Sequence, residues 1–227
     1  MSTLIKICGV TTPDDVRLVG EAGADAIGFN FWSGSKRFVG SDPSEVIKQV
    51  PSGVLKFGVF VNASEADVLQ AMNRHGLDFV QLHGDERPEA FTKIPRDRLV
   101  RALRIRNAQS FAAAREWSPA WFLFDAFVDG YGGGGIVAPW GEIAAYASAP
   151  PVDAMPAGDG DISARRPFLL AGGLTPENVA QAIVATGADG VDVASGVERA
   201  PGRKDPARVR DFVAAVRSVV ASAGFSR

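Results

Sequence analysis

The sequence predicts a single-domain α/β protein, a (β/α)8 barrel of the TIM type, on three observations. Short apolar runs alternate with segments of helical period eight times along the chain. The runs are almost continuously apolar, as expected of strands buried on both faces of a parallel sheet. At 227 residues the chain has the size at which eight such units close into one barrel. A doubly wound sheet is the competing architecture. It usually has fewer strands and opens on a Gly-rich turn, which does not follow the first run here.

The units read in order as follows. Leu4–Cys8 is the first strand, and Thr12-Pro13 opens a helix over Pro13–Ala22. Ala26–Phe29 precedes a helix over Pro43–Gln49, again opened by proline after a capping Asp42. Lys56–Phe60 precedes Glu65–Arg74, Phe79–Leu82 precedes Pro88–Lys93, and Leu99–Leu103 precedes Ala108–Trp117. Trp121–Asp125 precedes Trp140–Ala147. Phe168–Ala171 precedes Pro176–Ala185 after Thr175, and Gly190–Ala194 precedes Pro206–Ala221 after Asp205. Proline suits the first helical position, where its missing N–H has no partner to lose. The strands are rich in β-branched and aromatic residues, which fit a packed, pleated surface.

Two segments break the rhythm. Phe127–Pro139 carries Gly130, Gly132, Gly133, Gly134 and Gly135 after the sixth strand, on the face where barrels build active sites. Ala149–Arg166, rich in Pro, Gly, Asp and Ala, falls between the sixth helix and the seventh strand. One domain is expected over 1–227, with 149–166 a flexible insertion on the opposite face.

Composition narrows the function classes. Apolar residues make up 46% and charged residues 22%, an ordinary globular profile. The 24 basic and 26 acidic residues leave a net charge of −2, so no basic surplus points to nucleic acid. No apolar stretch is long enough to span a membrane, and Met1-Ser2-Thr3 runs into a strand-like segment without a signal-peptide core. A cytoplasmic protein is expected. The single cysteine, Cys8, cannot form an internal disulfide or a cysteine metal cage. It is either an inert packing residue or a reactive thiol, and reactivity would need a partly open, electropositive site.

Barrel logic collects the residues at the C-terminal strand ends. These are Cys8, then Ser33-Gly34-Ser35-Lys36-Arg37, Asn62, Gln81-Leu82-His83, Arg104, Asp125, Gly172-Gly173, and Asp192 with Ser195-Gly196. Gly172-Gly173 and Ser195-Gly196 follow the seventh and eighth strands, where barrels commonly hold phosphate on backbone N–H groups. Asp125 closes the apolar run Trp121-Phe122-Leu123-Phe124, a setting suited to acid work, though a cap or loop hydrogen bond would also place a carboxylate there. Arg37 could clamp a carboxylate with its fork or be a solvated surface arginine. His83 could titrate, donate a hydrogen bond, or serve structure alone.

Taken together, these residues resemble the phosphoribosylanthranilate isomerase family of tryptophan biosynthesis. The matching pieces are Lys6-Ile7-Cys8-Gly9-Val10-Thr11, Gly28-Phe29 with Ser35-Lys36-Arg37, Gly58-Val59-Phe60-Val61-Asn62 and Val80-Gln81-Leu82-His83-Gly84-Asp85-Glu86. They continue with Phe124-Asp125, Gly132 to Gly135, Leu170-Ala171-Gly172-Gly173-Leu174-Thr175-Pro176-Glu177-Asn178-Val179, Gly190 to Glu198 and Gly202-Arg203-Lys204-Asp205. The resemblance runs in order through essentially the whole chain.

The resemblance implies an Amadori rearrangement of N-(5-phosphoribosyl)anthranilate to 1-(2-carboxyphenylamino)-1-deoxyribulose 5-phosphate. It implies Cys8 as general base and Asp125 as general acid. Arg37 would hold the anthranilate carboxylate, with His83 and Asp192 in the substrate pocket. Gly133, Gly135, Gly172, Gly173, Ser195 and Gly196 are the expected phosphate-binding set. No metal or cofactor is implied, because the iminium formed on ring opening itself acidifies the proton to be removed. The implied partner is the small phosphosugar-anthranilate substrate, with no nucleic acid or membrane, and the chain a monomer or homodimer.

The sequence departs from the family pattern after the sixth strand. Gly-Gly-Gly-Gly, Ile136 and Ala138-Pro139-Trp140 stand where the family usually has Gly-Gly-Thr-Gly, a lysine and Phe-Asp-Trp. Three rival readings are weaker. The histidine-pathway isomerase uses aspartate at the Cys8 position, and indoleglycerol-phosphate synthase relies on lysine catalysis. A barrel that binds phosphosugars without catalysis would have no need of both Cys8 and Asp125.

Overall fold

The computed structural model describes residues 3–127, 137–149 and 166–224. Eight parallel strands close into a barrel in sequential order, each next to its predecessor and β8 next to β1. They are β1 (Leu4–Cys8), β2 (Ala26–Asn30), β3 (Leu55–Phe60), β4 (Phe79–Leu82), β5 (Leu99–Ile105), β6 (Trp121–Ala126), β7 (Phe168–Leu170) and β8 (Gly190–Val193). All eight expected strands are present, with ends shifted by two residues at most. A short antiparallel pair, β9 (Glu198–Ala200) and β10 (Arg203–Lys204), follows β8 and has no counterpart in the sequence reading.

The helices are α1 (Pro13–Glu21), α2 (Ser44–Ile47), α3 (Glu65–His75), α4 (Trp140–Ser148), α5 (Val179–Thr186) and α6 (Pro206–Gly224). Their starts follow from local chemistry. The Thr12 hydroxyl accepts from Asp15 N–H and the Ser64 hydroxyl from Asp67 N–H, while Asp205 accepts from the N–H groups of Ala207 and Arg208. Gly76 and Gly187 end α3 and α5 in the left-handed region, at φ 58° and 64°.

Several helices differ from expectation. The segment after β4 forms two 3-10 turns, Pro88–Ala90 and Arg96–Arg98, in place of the expected helix over Pro88–Lys93. After β5, Ala108–Glu116 winds as a 3-10 helix. Its buried positions Phe111 and Ala114, with the buried Trp117 just past its end, recur every third residue, the period of that helix and not of the α-helix. α2 is one turn, and α5 starts three residues after Pro176 because Asn178 ties the preceding turn, accepting from Thr175 N–H and donating to the Gly173 carbonyl.

The period of two along each strand separates two packing layers. Ile5, Ile7, Ile27, Phe29, Val80, Leu82, Phe122, Phe124, Leu170 and Val191 face outward into the layer beneath the helices. The alternate positions, Ala26, Phe57, Val100, Ala102, Leu123, Leu169 and Ala171, fill the interior. Lys6, Cys8, Gln81, Asp125 and Asp192 have that inward parity, which brings them to the inside of the barrel. Of the segments that broke the rhythm, residues 128–136, including Gly133 and Gly135, and residues 150–165 of the expected insertion lie outside the described residues.

Candidate active site

Register decides which groups meet at the barrel mouth. β1 pairs with β8 so that Lys6 lies opposite Asp192, and with β2 so that Cys8 lies opposite Gly28. Lys6 Nζ is fully buried and donates to Asp192 Oδ1 at 2.8 Å and to Gln81 Oε1 at 3.0 Å. It also stands 5.3 Å from the centre of the Phe57 ring. Burial alone would push the ammonium down, but Asp192 and Cys8 reverse that and hold it above the ordinary lysine value.

Cys8 ends β1 half-buried, next to that ammonium. A Cβ on Gly28 would lie 2.7 Å from Cys8 Sγ and 3.1 Å from Lys6 Nζ, so the glycine clears the space in which thiol and ammonium meet. Burial pushes the thiol up and Asp192 pushes the same way, while Lys6 and Lys204 pull it down. The open, electropositive site expected for a reactive cysteine is therefore only half realised. Two ammonium groups are in place, but desolvation outweighs them. Such a thiol ionises reluctantly and, once ionised, is a strong base.

Asp125 ends β6, with β7 and β8 between it and Cys8 on the shorter way round the barrel. Its Oδ1 accepts from Ala126 N–H at 2.8 Å, and its Oδ2 stands 3.3 Å from His83 Nε2. Both side chains reach solvent, at 19% exposure for Asp125 and 22% for His83. His83 Nδ1 is 2.9 Å from Gln81 Nε2. A run of contacts thus crosses the interior from Lys6 through Gln81 and His83 to Asp125.

Arg37 is placed at the same mouth, but its fork is already engaged. Nε and Nη2 donate to Glu198 at 2.7–3.1 Å, leaving Nη1 as the end that can reach another carboxylate. Glu198 also accepts from Lys204 Nζ at 2.9 Å. Burial would raise the Glu198 carboxyl, but Arg37 and Lys204 hold it below its ordinary range. Lys204, nearly inaccessible, donates in addition to the Cys8 carbonyl at 2.6 Å. Burial pushes its ammonium down, and Glu198 pulls against that. The β9–β10 pair is thereby pinned to the end of β1.

A cavity of about 420 Å³ opens beside this cluster, lined by Gly173, Leu174, Thr175, Ser195, Gly196, Glu198 and Arg208. Three of the residues expected to hold phosphate, Gly173, Ser195 and Gly196, line it. Gly172, the remaining described member of that set, does not line this cavity. Its φ is +86°, and a Cβ there would lie 2.6 Å from Ala126 N and 3.0 Å from Asp125 Oδ1, so its role is to let β7 approach the end of β6. Arg208, the cation lining the cavity, is tied to the Gly196 carbonyl and to Glu177.

Sequence reasoning named Cys8, Arg37, His83, Asp125 and Asp192, and the structure brings all five to one mouth. It gave no role to Gln81, Glu198 or Lys204. Gln81 was findable, since it shares the inward parity of β4 two residues before His83. Lys204 was not, because its partner Cys8 lies 196 residues away and only the folded-back β9–β10 pair joins them.

A parallel barrel with a thiol and a carboxyl on inward strand ends, beside a glycine-lined cavity, defines a (β/α)8 enzyme of acid–base type. The family model for N-(5′-phosphoribosyl)anthranilate isomerase matches residues 5–215. The isomerase of Citrifermentans bemidjiense is 40% identical over 219 residues, covering 96% of this chain and 98% of that one. That of Geobacter sulfurreducens is 41% identical over 211 residues, covering 92% and 96%. Among solved structures, phosphoribosylanthranilate isomerase from Thermotoga maritima superposes with a TM-score of 0.80 at 32% identity, covering 95% of this chain and 99% of that one. A phosphoribosylanthranilate isomerase in complex with reduced 1-(o-carboxyphenylamino)-1-deoxyribulose 5-phosphate superposes with a TM-score of 0.77, also at 32% identity and covering 95% and 99%. The chain belongs to the N-(5′-phosphoribosyl)anthranilate isomerase family.

Proposed function

We propose that this chain converts N-(5′-phosphoribosyl)anthranilate to 1-(2-carboxyphenylamino)-1-deoxyribulose 5-phosphate, with Asp125 as general acid and Cys8 as general base. One observation carries the assignment: a thiol and a carboxyl end β1 and β6 with inward parity, so that one sugar can lie between them. Asp125 gives a proton to the furanose ring oxygen, and the ring opens to a protonated Schiff base. The Cys8 thiolate takes the C2′ proton, and the resulting enolamine tautomerises to the ketone. Lys6, next to the thiol, stabilises the thiolate as it forms.

The phosphate is assigned to the cavity at Gly173, Ser195 and Gly196. Its cation is already paired with Glu177, so backbone N–H groups carry the contact. Gly133 and Gly135 complete the set in this reading, from a segment outside the described residues. Arg37 takes the anthranilate carboxylate through Nη1 while Glu198 holds the rest of the fork. Asp192 acts in the pocket through Lys6.

The reading includes a cytoplasmic location, supported by a lone free cysteine. Among the described residues, no helix is long and apolar enough to cross a membrane. The chain works as a monomer or homodimer, and a dimeric phosphoribosylanthranilate isomerase from Thermotoga maritima stands among the structural neighbours.

The test is a fluorescence assay in which phosphoribosylanthranilate is generated in situ and its emission followed as protein is added. Asp125→Asn should lower turnover by about 10² to 10⁴ and Cys8→Ser by about 10² or more, while both still bind the reduced product analogue. Near-wild-type turnover in either variant removes that residue from its role.

A further inference from the structure

We propose that Gln81 is a positioning residue that fixes which nitrogen of His83 carries the proton, and so which charge or dipole His83 presents to the Asp125 carboxyl beside it. The importance of Asp125 rests on the reaction proposed above, whereas the state of the His83 ring does not depend on it.

The argument starts from a charge that cannot reverse its hydrogen-bonding sense. The Lys6 ammonium has donors and no acceptor. It lies 3.0 Å from one end of the Gln81 amide, so that end must be the oxygen. The NH2 end then faces His83 Nδ1 at 2.9 Å. An NH2 group only donates, so Nδ1 must accept and cannot carry a proton. A neutral imidazole in that state has its proton on Nε2, the nitrogen that stands 3.3 Å from Asp125 Oδ2.

Gln81 is 1% exposed, so water cannot substitute for either contact and the amide has one satisfied orientation. Asp192 locks the start of the run, 2.8 Å from Lys6 Nζ. At the far end the Ala126 N–H holds Asp125 Oδ1, and His83 Nε2 is the close polar neighbour of the other oxygen, Oδ2. A carboxyl hydrogen-bonded at one oxygen can still turn about its Cα–Cβ and Cβ–Cγ bonds, and an N–H dipole beside the second oxygen biases which orientation it takes. The reach of the run, from β1 through β4 to β6, makes Gln81 the joint between the two sides of the site.

Gln81→Glu tests this with almost no change of shape. It replaces the NH2 by an oxygen that only accepts, so Nδ1 must gain a proton. Two-bond ¹H–¹⁵N spectra report which ring nitrogen is protonated. The chain has two histidines, and His75→Gln assigns the signals. The full-length wild-type protein should show His83 protonated at Nε2 alone, and Gln81→Glu should show a protonated Nδ1. Turnover should fall by about 10- to 100-fold, the scale of a sub-ångström to ångström misplacement, with KM changed far less. Gln81→Met, which has neither amide group, covers the case in which the acidic variant does not fold. It should lose the exclusive Nε2 state and the same share of kcat.

A wild-type His83 protonated at Nδ1 overturns the proposal. So does an unchanged ring state in the folded variant, or a changed ring state with undiminished kcat. Failure of the Asp125 assignment would appear separately, as full turnover in Asp125→Asn with the wild-type ring state still at Nε2.

Discussion

Asp192→Asn isolates a buried charge, and its cost can be worked from the geometry. Lys6 and Asp192 meet at 2.8 Å with side chains 0% and 9% exposed. Removing one partner of such a pair costs about 3–5 kcal/mol, because the remaining charge stays buried without compensation. Neutralising the lysine sets a ceiling. Taking an ordinary lysine from a pKa of about 10.4 to the neutral form at pH 7 costs about 4.6 kcal/mol, and the variant cannot lose more through this charge. For a protein of total stability about 5–15 kcal/mol this is a large share. At about 2–4 °C per kcal/mol for this chain length, Tm should fall by about 6–20 °C.

The pH dependence separates this mechanism from a simple packing defect. In the wild-type protein Lys6 is held above its ordinary value, so its contribution is fully present below about pH 10 and does not vary between pH 7 and 9. Without Asp192 burial dominates and pushes the folded-state value below the unfolded one. The unfolded variant then binds a proton that the folded variant does not, so its stability rises with pH. The gap to wild type should narrow by about 2.7 kcal/mol between pH 7 and pH 9. Urea unfolding followed by circular dichroism at the two pH values measures it. A deficit under about 1 kcal/mol at pH 7, or one that stays constant to pH 9, refutes the reasoning. The double change Lys6→Met with Asp192→Leu removes both charges and should recover most of the loss.

Four further outcomes follow from the site. Since Cys8 is the sole cysteine, iodoacetamide reports on it directly, and the alkylation rate should reach half its maximum above the ordinary thiol value of about 8.5; a midpoint at or below about 8 would mean that the ammonium groups outweigh burial. Lys204→Met should shift that midpoint further up. A Cβ on Gly196 would stand 1.8 Å from the Leu174 carbonyl oxygen, so Gly196→Ala must displace a wall of the cavity proposed to hold phosphate. Overpacking of about 1–3 kcal/mol should weaken calorimetric binding of the reduced product analogue about tenfold or more, and unchanged affinity would place the phosphate elsewhere. Arg37→Lys keeps the charge but loses the fork on Glu198, so KM should rise more than kcat falls, and the reverse pattern would mean that Arg37 acts on charge developing in the reaction.

By itself the sequence determined the barrel and which side chains stand at its strand ends. Eight apolar runs with helical segments between them leave few ways to bury every face, and a parallel closed sheet satisfies all of them. Strand parity then dictates that Cys8 and Asp125 turn inward at their strand ends, because side chains alternate with period two. The sequence was less decisive where local preferences compete. Ala108–Glu116 has the composition of an α-helix, yet its buried residues fall every third position and it winds as a 3-10 helix. Only the tertiary structure decided how the site is wired. That Lys6 pairs with Asp192, that the Arg37 fork rests on Glu198, and that Lys204 reaches the Cys8 carbonyl are contacts between residues 161 to 196 positions apart. Such partners are chosen by strand register and by the folding back of β9 and β10, which set distances that no local pattern encodes. The same holds for the Cys8 thiol. Its residue type was plain from the start, but the balance between burial and two ammonium groups exists only once the barrel has closed around it.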